Sequence, residues 1–181
     1  VFNTRLPEDQ IFSKRKIRIF GKSKDYTIDH TEEVFSSAGK IIFNLNAKSL
    51  WWPKGYGEPV LYDLSVEVFD SQDNILFSQK FRQGFRKAEL IRSETVEPGG
   101  KFEIRINDVK IYAIGSNWVP LDVYHSRDKE KYKKAIELAC DIGCNILRCW
   151  GGNVYEDDEF FSLCDEKGIM VWQDFAMACH F

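Results

Sequence analysis

The second half of the sequence alternates short apolar runs with amphipathic helical patterns, and this alternation restricts the fold more than any other feature. Residues 145–153 form an apolar run that ends in Arg148, Trp150 and two glycines. Residues 169–175 form a second run with a polar end. Short apolar runs separated by helices are typical of buried parallel strands. We therefore predict strand, helix, strand, helix, strand, with the strands parallel neighbours because such crossovers share one handedness.

Two helices are predicted between these strands. The first has one apolar stripe, formed by Tyr132, Ala135, Ile136, Ala139 and Ile142. Ser126 or Asp128 can cap its start, and Gly143 is placed to end it. In the second helix, the acids at 156–158 sit where the helix dipole favours negative charge, and Gly168 closes the helix. We interpret these acids as helix-terminal charges and not as catalytic carboxylates.

Residues 1–88 show the period of two that is typical of half-buried strands. Apolar and polar side chains alternate around Ile17 and in residues 41–46, 62–68 and 75–81. Several short strands separated by turn residues predict an antiparallel sandwich. Because Val1-Phe2-Asn3 already resembles the end of a strand, we expect the first strands of the sandwich to precede residue 1.

A domain boundary is predicted near residue 88. The pattern changes around residues 84–86, and residues 95–100 are rich in turn formers. A β-hairpin is predicted next, with a tight turn at Asn107-Asp108 and a second arm that runs on to residues 117–120. We therefore predict a β-sandwich domain over 1–88 and an α/β domain over 89–181.

The pair Trp51-Trp52 is the most distinctive feature of the first domain. Flat apolar rings suit the C–H faces of a pyranose, so the pair could form a sugar-stacking platform. The alternative, which we favour, is that the rings plug the end of the sandwich or the domain interface.

Composition excludes several classes of partner. The net charge is −3 and the isoelectric point is near 5.7, so we expect no nucleic-acid partner and no membrane partner. The five cysteines form no Cys-x-x-Cys pair, and we predict buried free thiols and no metal site. With no visible signal peptide, these thiols favour a cytoplasmic location. No cofactor is expected.

At this point the sequence resembles a known family. The sequence segments that carry the resemblance are Gly115-Ser116-Asn117-Trp118-Val119-Pro120, Arg148-Cys149-Trp150-Gly151-Gly152, Tyr155-Glu156-Asp157 and Val171-Trp172-Gln173-Asp174-Phe175. They are similar to the β-mannosidase branch of the family-2 glycoside hydrolases. Upstream, Trp52-Pro53, Leu61-Tyr62 and Gly84-Phe85-Arg86 are similar to the immunoglobulin-like domain that precedes the barrel in that family. The chain departs from the family pattern at Ser116, Asn153 and the turn Asn107-Asp108.

The resemblance implies a multi-domain β plus α/β fold. An immunoglobulin-like antiparallel β-sandwich would be followed by the first three βα units of a truncated (β/α)8 TIM barrel, with the sugar at the carboxyl ends of the strands. Five residues would then lie near the sugar: Arg148, Trp150, Asp174, Asn117 and Trp118. Arginine and aspartate side chains can hydrogen-bond sugar hydroxyls, and a tryptophan gives the ring an apolar wall. Alternatively, Arg148 and Asp174 only pair with each other to hold the barrel mouth.

The resemblance also implies a reaction whose catalytic groups are not among these residues. Retaining glycoside hydrolysis needs two carboxyl groups, which in this family are glutamates on the fourth and seventh barrel strands, the first after an asparagine. The sequence contains no Asn-Glu dipeptide and no catalytic residue is expected before Phe181. We therefore expect a parent exo-acting β-mannosidase that releases terminal β-linked mannose from oligosaccharides, and an inactive 181-residue chain.

The sequence leaves alternative hypotheses open. If the protein is an enzyme, the alternative is a relative of the β-galactosidases, glucuronidases or glucosaminidases. Outside it, the chain could be a non-catalytic carbohydrate-binding sandwich or a structural interaction domain. A three-strand piece of barrel would expose Trp172, Phe175 and Phe181, so self-association is expected.

Overall fold

The computed structural model describes residues 1–3, 13–46, 48–93 and 100–178. Over these residues the chain is rich in β-structure, has only two α-helices and forms no closed barrel. It divides into two compact units, which are Val1–Ser49 with Leu61–Gln83, and Leu50–Val60 with Gly84–Phe181. The predicted turns at 95–99, and Cys179 and Phe181, lie outside the described residues.

The first unit is built on a four-stranded antiparallel sheet with the order β3-β2-β5-β6, beside a two-stranded pair of β1 and β4. Its strands are β1 (Phe2–Asn3), β2 (Arg15–Lys22), β3 (Thr27–Val34), β4 (Ala38–Gly39), β5 (Tyr62–Phe69) and β6 (Ile75–Gln83). One face of the sheet buries Ile17, Val34 and Val68. The strands predicted around Ile17 and in 62–68 and 75–81 are present, and their pairing is antiparallel as expected. The half-burial expected over 75–81 is wrong, because every residue of β6 is exposed.

The predicted strand at 41–46 is wrong in one respect. Ile41, Phe43 and Leu45 are partly buried and alternate with exposed neighbours, as the period of two predicts. However, these residues belong to no ladder. Phe43 instead stacks on the His30 ring, with centroids 4.3 Å apart. Alternating burial therefore does not require strand pairing here, because a side chain can be held by a ring on the neighbouring strand.

The second unit contains one antiparallel and one parallel sheet, with orders β7-β8-β9 and β10-β11-β12. Its elements are β7 (Ala88–Arg92), β8 (Phe102–Ile106), β9 (Val109–Ile111), β10 (Gly115–Trp118), α1 (Lys129–Asp141), β11 (Ile146–Cys149), α2 (Asp158–Lys167) and β12 (Met170–Gln173). The predicted order of strand, helix, strand, helix, strand with parallel pairing is confirmed. Eight buried residues from the two helices, the parallel sheet and the residue before β12 form one core cluster: Trp118, Tyr132, Ile136, Leu147, Cys149, Phe160, Cys164 and Ile169.

The predicted hairpin is confirmed at its turn and corrected at its second arm. Asn107 and Asp108 have φ values of 51° and 67°, as a tight turn with two left-handed residues requires. The second arm ends at Ile111 and does not continue to residue 118. Gly115–Trp118 instead pairs in parallel with β11 and so belongs to the other sheet.

The helix ends follow the sequence closely, with two corrections. Gly168 caps α2 in the left-handed conformation, with φ of 71°. Asp128 is the N-cap of α1, although its side chain makes no capping hydrogen bond. Ile142 was expected on the buried stripe but is 76% exposed, because the helix has already ended at Asp141. Glu156 was expected to be a helix-terminal charge but precedes the N-cap Asp157 and is buried.

Trp51 belongs to the second unit and is part of its packing. The side chain is 1% exposed, and its indole N–H donates to the carbonyl of Asp165 at 2.8 Å. The Arg86 guanidinium lies 4.5 Å from the centre of the ring. Because the ring is buried within the second unit, Trp51 does not offer a sugar-stacking surface.

The described cysteines are free thiols, as predicted. Cys144, Cys149 and Cys164 are buried and Cys140 is partly buried. Burial raises the pKa of Cys149 to about 11, so this thiol stays protonated and unreactive at neutral pH. No helix among the described residues is long and apolar enough to cross a membrane.

An acid-sensitive ion cluster joins β8 to β9. The carboxylate of Glu103 accepts from Lys110 at 2.9 Å and from Arg105 at 2.7 Å, which lowers its pKa to about 2. Because the pKa of Glu103 is lower in the folded chain than in the unfolded chain, its carboxylate stabilises the fold at any pH above the ordinary pKa of glutamate. This stabilisation is lost as the pH falls towards 2. We therefore expect Glu103→Gln to lower the melting temperature at pH 7 but not at pH 2.

The measurement is a series of thermal unfolding curves between pH 7 and pH 2, with Glu58→Gln as the control because Glu58 is exposed. The control should keep a nearly constant offset from the parent chain. A Glu103→Gln offset that did not shrink on acidification would contradict the assignment.

Candidate functional site

The parallel sheet of the second unit brings three of the predicted site residues together. Asn117 and Arg148 are register partners on β10 and β11, and Asp174 follows directly after β12. The carboxyl ends of parallel strands meet at one edge of a sheet, and this is where ligands bind in parallel α/β folds. We call Asn117, Arg148 and Asp174 the polar cluster.

The polar cluster is organised by the guanidinium of Arg148. Its Nη2 donates to Asp174 Oδ2 at 2.6 Å, its Nε lies 3.4 Å from Oδ1, and its Nη1 donates to Asn117 Oδ1 at 3.2 Å. The Arg148 side chain is 42% exposed and that of Asp174 is 23% exposed. A two-point arginine–carboxylate pair fixes the orientation of both groups. Because both remain accessible, the pair can still offer donors and acceptors to a ligand.

The tryptophans around the polar cluster differ in accessibility. Trp150 follows β11, is 38% exposed, and packs over Gly152 so closely that a Cβ there would lie 2.2 Å from the ring. Trp172 is the register partner of Arg148 on β12 and stacks on Phe102, with centroids 6.0 Å apart. Trp118 is 6% exposed and lies in the core. The sheet therefore presents Trp150 and Trp172 to solvent and Trp118 to the interior.

Two open cavities border these strands. One, of about 500 Å³, lies along the sheet face that contains Asn117, Arg148 and Trp172. The other, of about 850 Å³, lies among the loops that follow the three strands and is lined by Asp122, His125 and Asn153 among others. Either has a volume in the range of small-ligand sites.

Sequence reasoning missed a buried carboxylate that organises the loops. Glu156 is 7% exposed and accepts from the Trp118 indole N–H at 2.9 Å, the Tyr132 hydroxyl at 2.6 Å and the Asn153 amide at 3.3 Å. Burial and the neighbouring carboxylate raise the pKa of Tyr132, so the phenol remains a donor. No local pattern could have identified this group, because its aromatic donors lie 38 and 24 residues away in sequence.

A second missed group lies where α1 begins. His125 Nδ1 lies 2.7 Å from Oδ2 of Asp128, whose side chain is 1% exposed. One ligand atom from each of His125, Asp128 and Glu156 can be chosen so that all three lie within 4.8 Å of one another. These three residues, which we call the His-Asp-Glu cluster, are the group that could hold a metal among the residues the structure describes.

Comparison with known proteins gives a consistent result. Residues 9–86 match the model of the family described as glycosyl hydrolases family 2. The chain is 43% identical over 141 residues to β-mannosidase B of Aspergillus flavus, covering 77% of this chain and 16% of that protein. It is 38% identical over 153 residues to β-mannosidase of Bos taurus, covering 83% of this chain and 17% of that protein.

A solved structure extends the likeness to the fold. The β-D-mannosidase of Dictyoglomus thermophilum superimposes with a TM-score of 0.80 at 36% identity. The superposition covers 94% of this chain and 22% of that chain. This chain therefore spans about a sixth of the length of the curated relatives that it matches.

Proposed function

The chain belongs to family 2 of the glycosyl hydrolases, in its β-mannosidase branch, and on this premise we propose that it forms one wall of a mannose-binding site. The parent reaction is release of terminal β-linked mannose with retention of configuration. The observation on which the proposal depends is the polar cluster, in which Arg148 holds Asn117 and Asp174 at the carboxyl ends of three neighbouring strands.

We propose that the chain contains parts of two domains. Residues 1–88 would belong to an immunoglobulin-like sandwich, and residues 89–181 to the first three βα units of a TIM barrel. Support comes from the antiparallel four-stranded sheet in the first unit and the parallel βαβαβ arrangement in the second. In such a barrel, side chains at the carboxyl ends of strands form the active site.

Each proposed sugar contact has a distinct role. The guanidinium of Arg148 donates to sugar hydroxyls, and the carboxylate of Asp174 accepts from them. Asn117 offers its amide beside Arg148, and the exposed ring of Trp150 forms an apolar wall. Trp118 was also predicted to contact the sugar. Because it is only 6% exposed and its indole N–H donates to Glu156, its proposed role is to hold the Glu156 carboxylate in place.

Sugar binding by this chain is tested by titration with mannose and mannobiose. We expect Arg148→Ala to weaken sugar binding about tenfold or more. The substitution removes the group that donates to the sugar hydroxyls and leaves Asp174 without its arginine partner. A matched control is Arg18→Ala, since Arg18 also makes a two-point pair with an aspartate, Asp29, at 2.9 and 2.6 Å. Trp150→Ala should weaken binding as well.

Equal affinity in Arg148→Ala and Arg18→Ala would rule out the polar cluster as the sugar site. If neither sugar bound any variant, a purely structural role for this region would be favoured instead.

We further propose that the 181 residues alone do not hydrolyse mannosides. A retaining mechanism needs an acid/base and a nucleophile about 5–5.5 Å apart, and the sequence contains no Asn-Glu dipeptide to supply the first. A chromogenic β-mannoside should show no turnover above background. Turnover that disappeared in Asp174→Asn would overturn this proposal.

Self-association is proposed from the exposed apolar groups of the parallel sheet. Trp172 is 44% exposed and Phe175 is 78% exposed, and β10 and β12 have no outer partner among the described residues. Unpaired strand edges with apolar neighbours favour association. Light scattering should give a mass above that of one chain at high concentration, and a clean monomer would contradict this.

The free thiols favour a reducing compartment, and we propose a cytoplasmic location.

A further inference from the structure

We propose that the His-Asp-Glu cluster binds a divalent first-row transition metal ion such as Mn²⁺ or Zn²⁺. The inference is independent of the mannosidase proposal, since it concerns residues outside the polar cluster. One imidazole nitrogen and two carboxylates form a ligand set that suits such ions. Three protein ligands leave further coordination positions for water or a ligand hydroxyl.

The burial of the two carboxylates is the first argument. Asp128 is 0% exposed and Glu156 is 7% exposed, and their ligand atoms lie within 4.8 Å of each other. In the described part of the chain, neither is paired with a lysine or an arginine. Two buried like charges at this separation repel unless a cation or a proton lies between them. A divalent cation would neutralise both.

An unpartnered oxygen is the second, independent argument. Oδ2 of Asp128 is bonded to His125, but Oδ1 is buried and has no hydrogen-bond partner among the described residues. Buried carboxylate oxygens are almost always satisfied, so such an atom calls for a ligand. Because it belongs to the same carboxylate, it lies in the cluster.

The surroundings of Glu156 fit a ligand role. Its two oxygens accept from Trp118, Tyr132 and Asn153, which fixes the carboxylate orientation. Ligating carboxylates are typically held by such outer hydrogen bonds. A cation bonded at about 2.1 Å to each ligand places ligand atoms up to about 4.2 Å apart, so only a small closure of the cluster is required. His125 also lines the 850 Å³ cavity, which gives the ion a path from solvent.

The sequence contained little sign of this site. The expectation of no metal site was based on the absence of Cys-x-x-Cys pairs and of histidines at ligand spacing near the cysteines. The three ligands instead come from the short 3-10 helix before α1, the N-cap of α1 and the loop before α2.

Titration of the 181-residue chain with MnCl₂, followed by calorimetry and by electron paramagnetic resonance, tests the proposal. Mn²⁺ is the better probe because cysteine sulfur, which the chain also contains, prefers softer ions. We expect one Mn²⁺ per chain and a ¹⁴N coupling from the imidazole in pulsed spectra. His125→Ala should weaken binding at least tenfold and remove the coupling, and Asp128→Asn should weaken it similarly.

The matched control is His30→Ala, because His30 also faces a carboxylate, Glu32, at 3.4 Å, but both side chains are partly exposed. Its affinity for Mn²⁺ should equal that of the parent chain. His125 is about one-third exposed, so its variant should retain the fold, which circular dichroism checks. No saturable binding at millimolar Mn²⁺, equal affinity in His125→Ala, or bound Mn²⁺ without nitrogen coupling would each overturn the proposal.

Discussion

Phe160→Ala is expected to lower the free energy of unfolding by about 3–5 kcal/mol, the usual range for removing a fully buried phenylalanine. Phe160 is 0% exposed and lies at the centre of an aromatic group in the second unit. Its ring centroid is 4.8 Å from that of Trp118 and 5.8 Å from that of Tyr132. The cavity left by the variant would be surrounded by rigid rings, which cannot close it.

Denaturant unfolding followed by tryptophan fluorescence measures this effect. Phe175→Ala is the control, because it removes the same ring from a position that is 78% exposed. We expect the control to change the free energy by less than about 0.5 kcal/mol, as surface substitutions usually do. Equal losses in the two variants would mean that Phe160 does not occupy the centre of this core.

Glu156→Ala should also destabilise the chain strongly, by about 2–6 kcal/mol. The change removes the acceptor of two buried donors, the Trp118 indole N–H and the Tyr132 hydroxyl. A buried donor without a partner costs about 1–3 kcal/mol. Glu156→Gln keeps an acceptor oxygen and should recover part of the loss. The measurement is made with a chelator present, so that metal binding does not contribute.

A double-mutant cycle with Tyr132→Phe separates this network from simple packing. Replacing both groups should cost less than the sum of the single changes, because the second replacement removes a donor that has already lost its acceptor. Glu159→Ala is the control, since Glu159 is an exposed acid in the first turn of α2. Strict additivity in the cycle would contradict a direct bond between Tyr132 and Glu156.

The parallel half of the fold was predictable because each signal is local. The apolar runs that became β11 and β12, and the glycine that ends α2, can be identified within a window of about ten residues. Arg148 and Asp174 were also predictable as neighbours, because the carboxyl ends of parallel strands must meet. Their distances could not be predicted, since they depend on the register between β11 and β12.

The failures share a different physical cause. Ile41, Phe43 and Leu45 have the alternation of a strand, but pairing depends on a partner that the pattern does not specify. Glu156 was assigned to the helix dipole because two acids follow it. Its actual partners lie on β10 and α1, and only the folded chain brings them within hydrogen-bond distance.

The chain passes from the first unit to the second at residue 50, returns at residue 61 and passes again at residue 84. Trp51 therefore belongs to the second unit, most of which is synthesised later. Its indole N–H donates to a carbonyl 114 residues downstream. Every described strand of the first unit has been synthesised by residue 83. The segment 50–60 can complete its contacts only after Asp165, whose carbonyl accepts from the Trp51 indole, has been synthesised. No single cut in the chain separates the two units. Dividing the chain at residue 88 would therefore separate Trp51 from Asp165, to which its indole N–H donates.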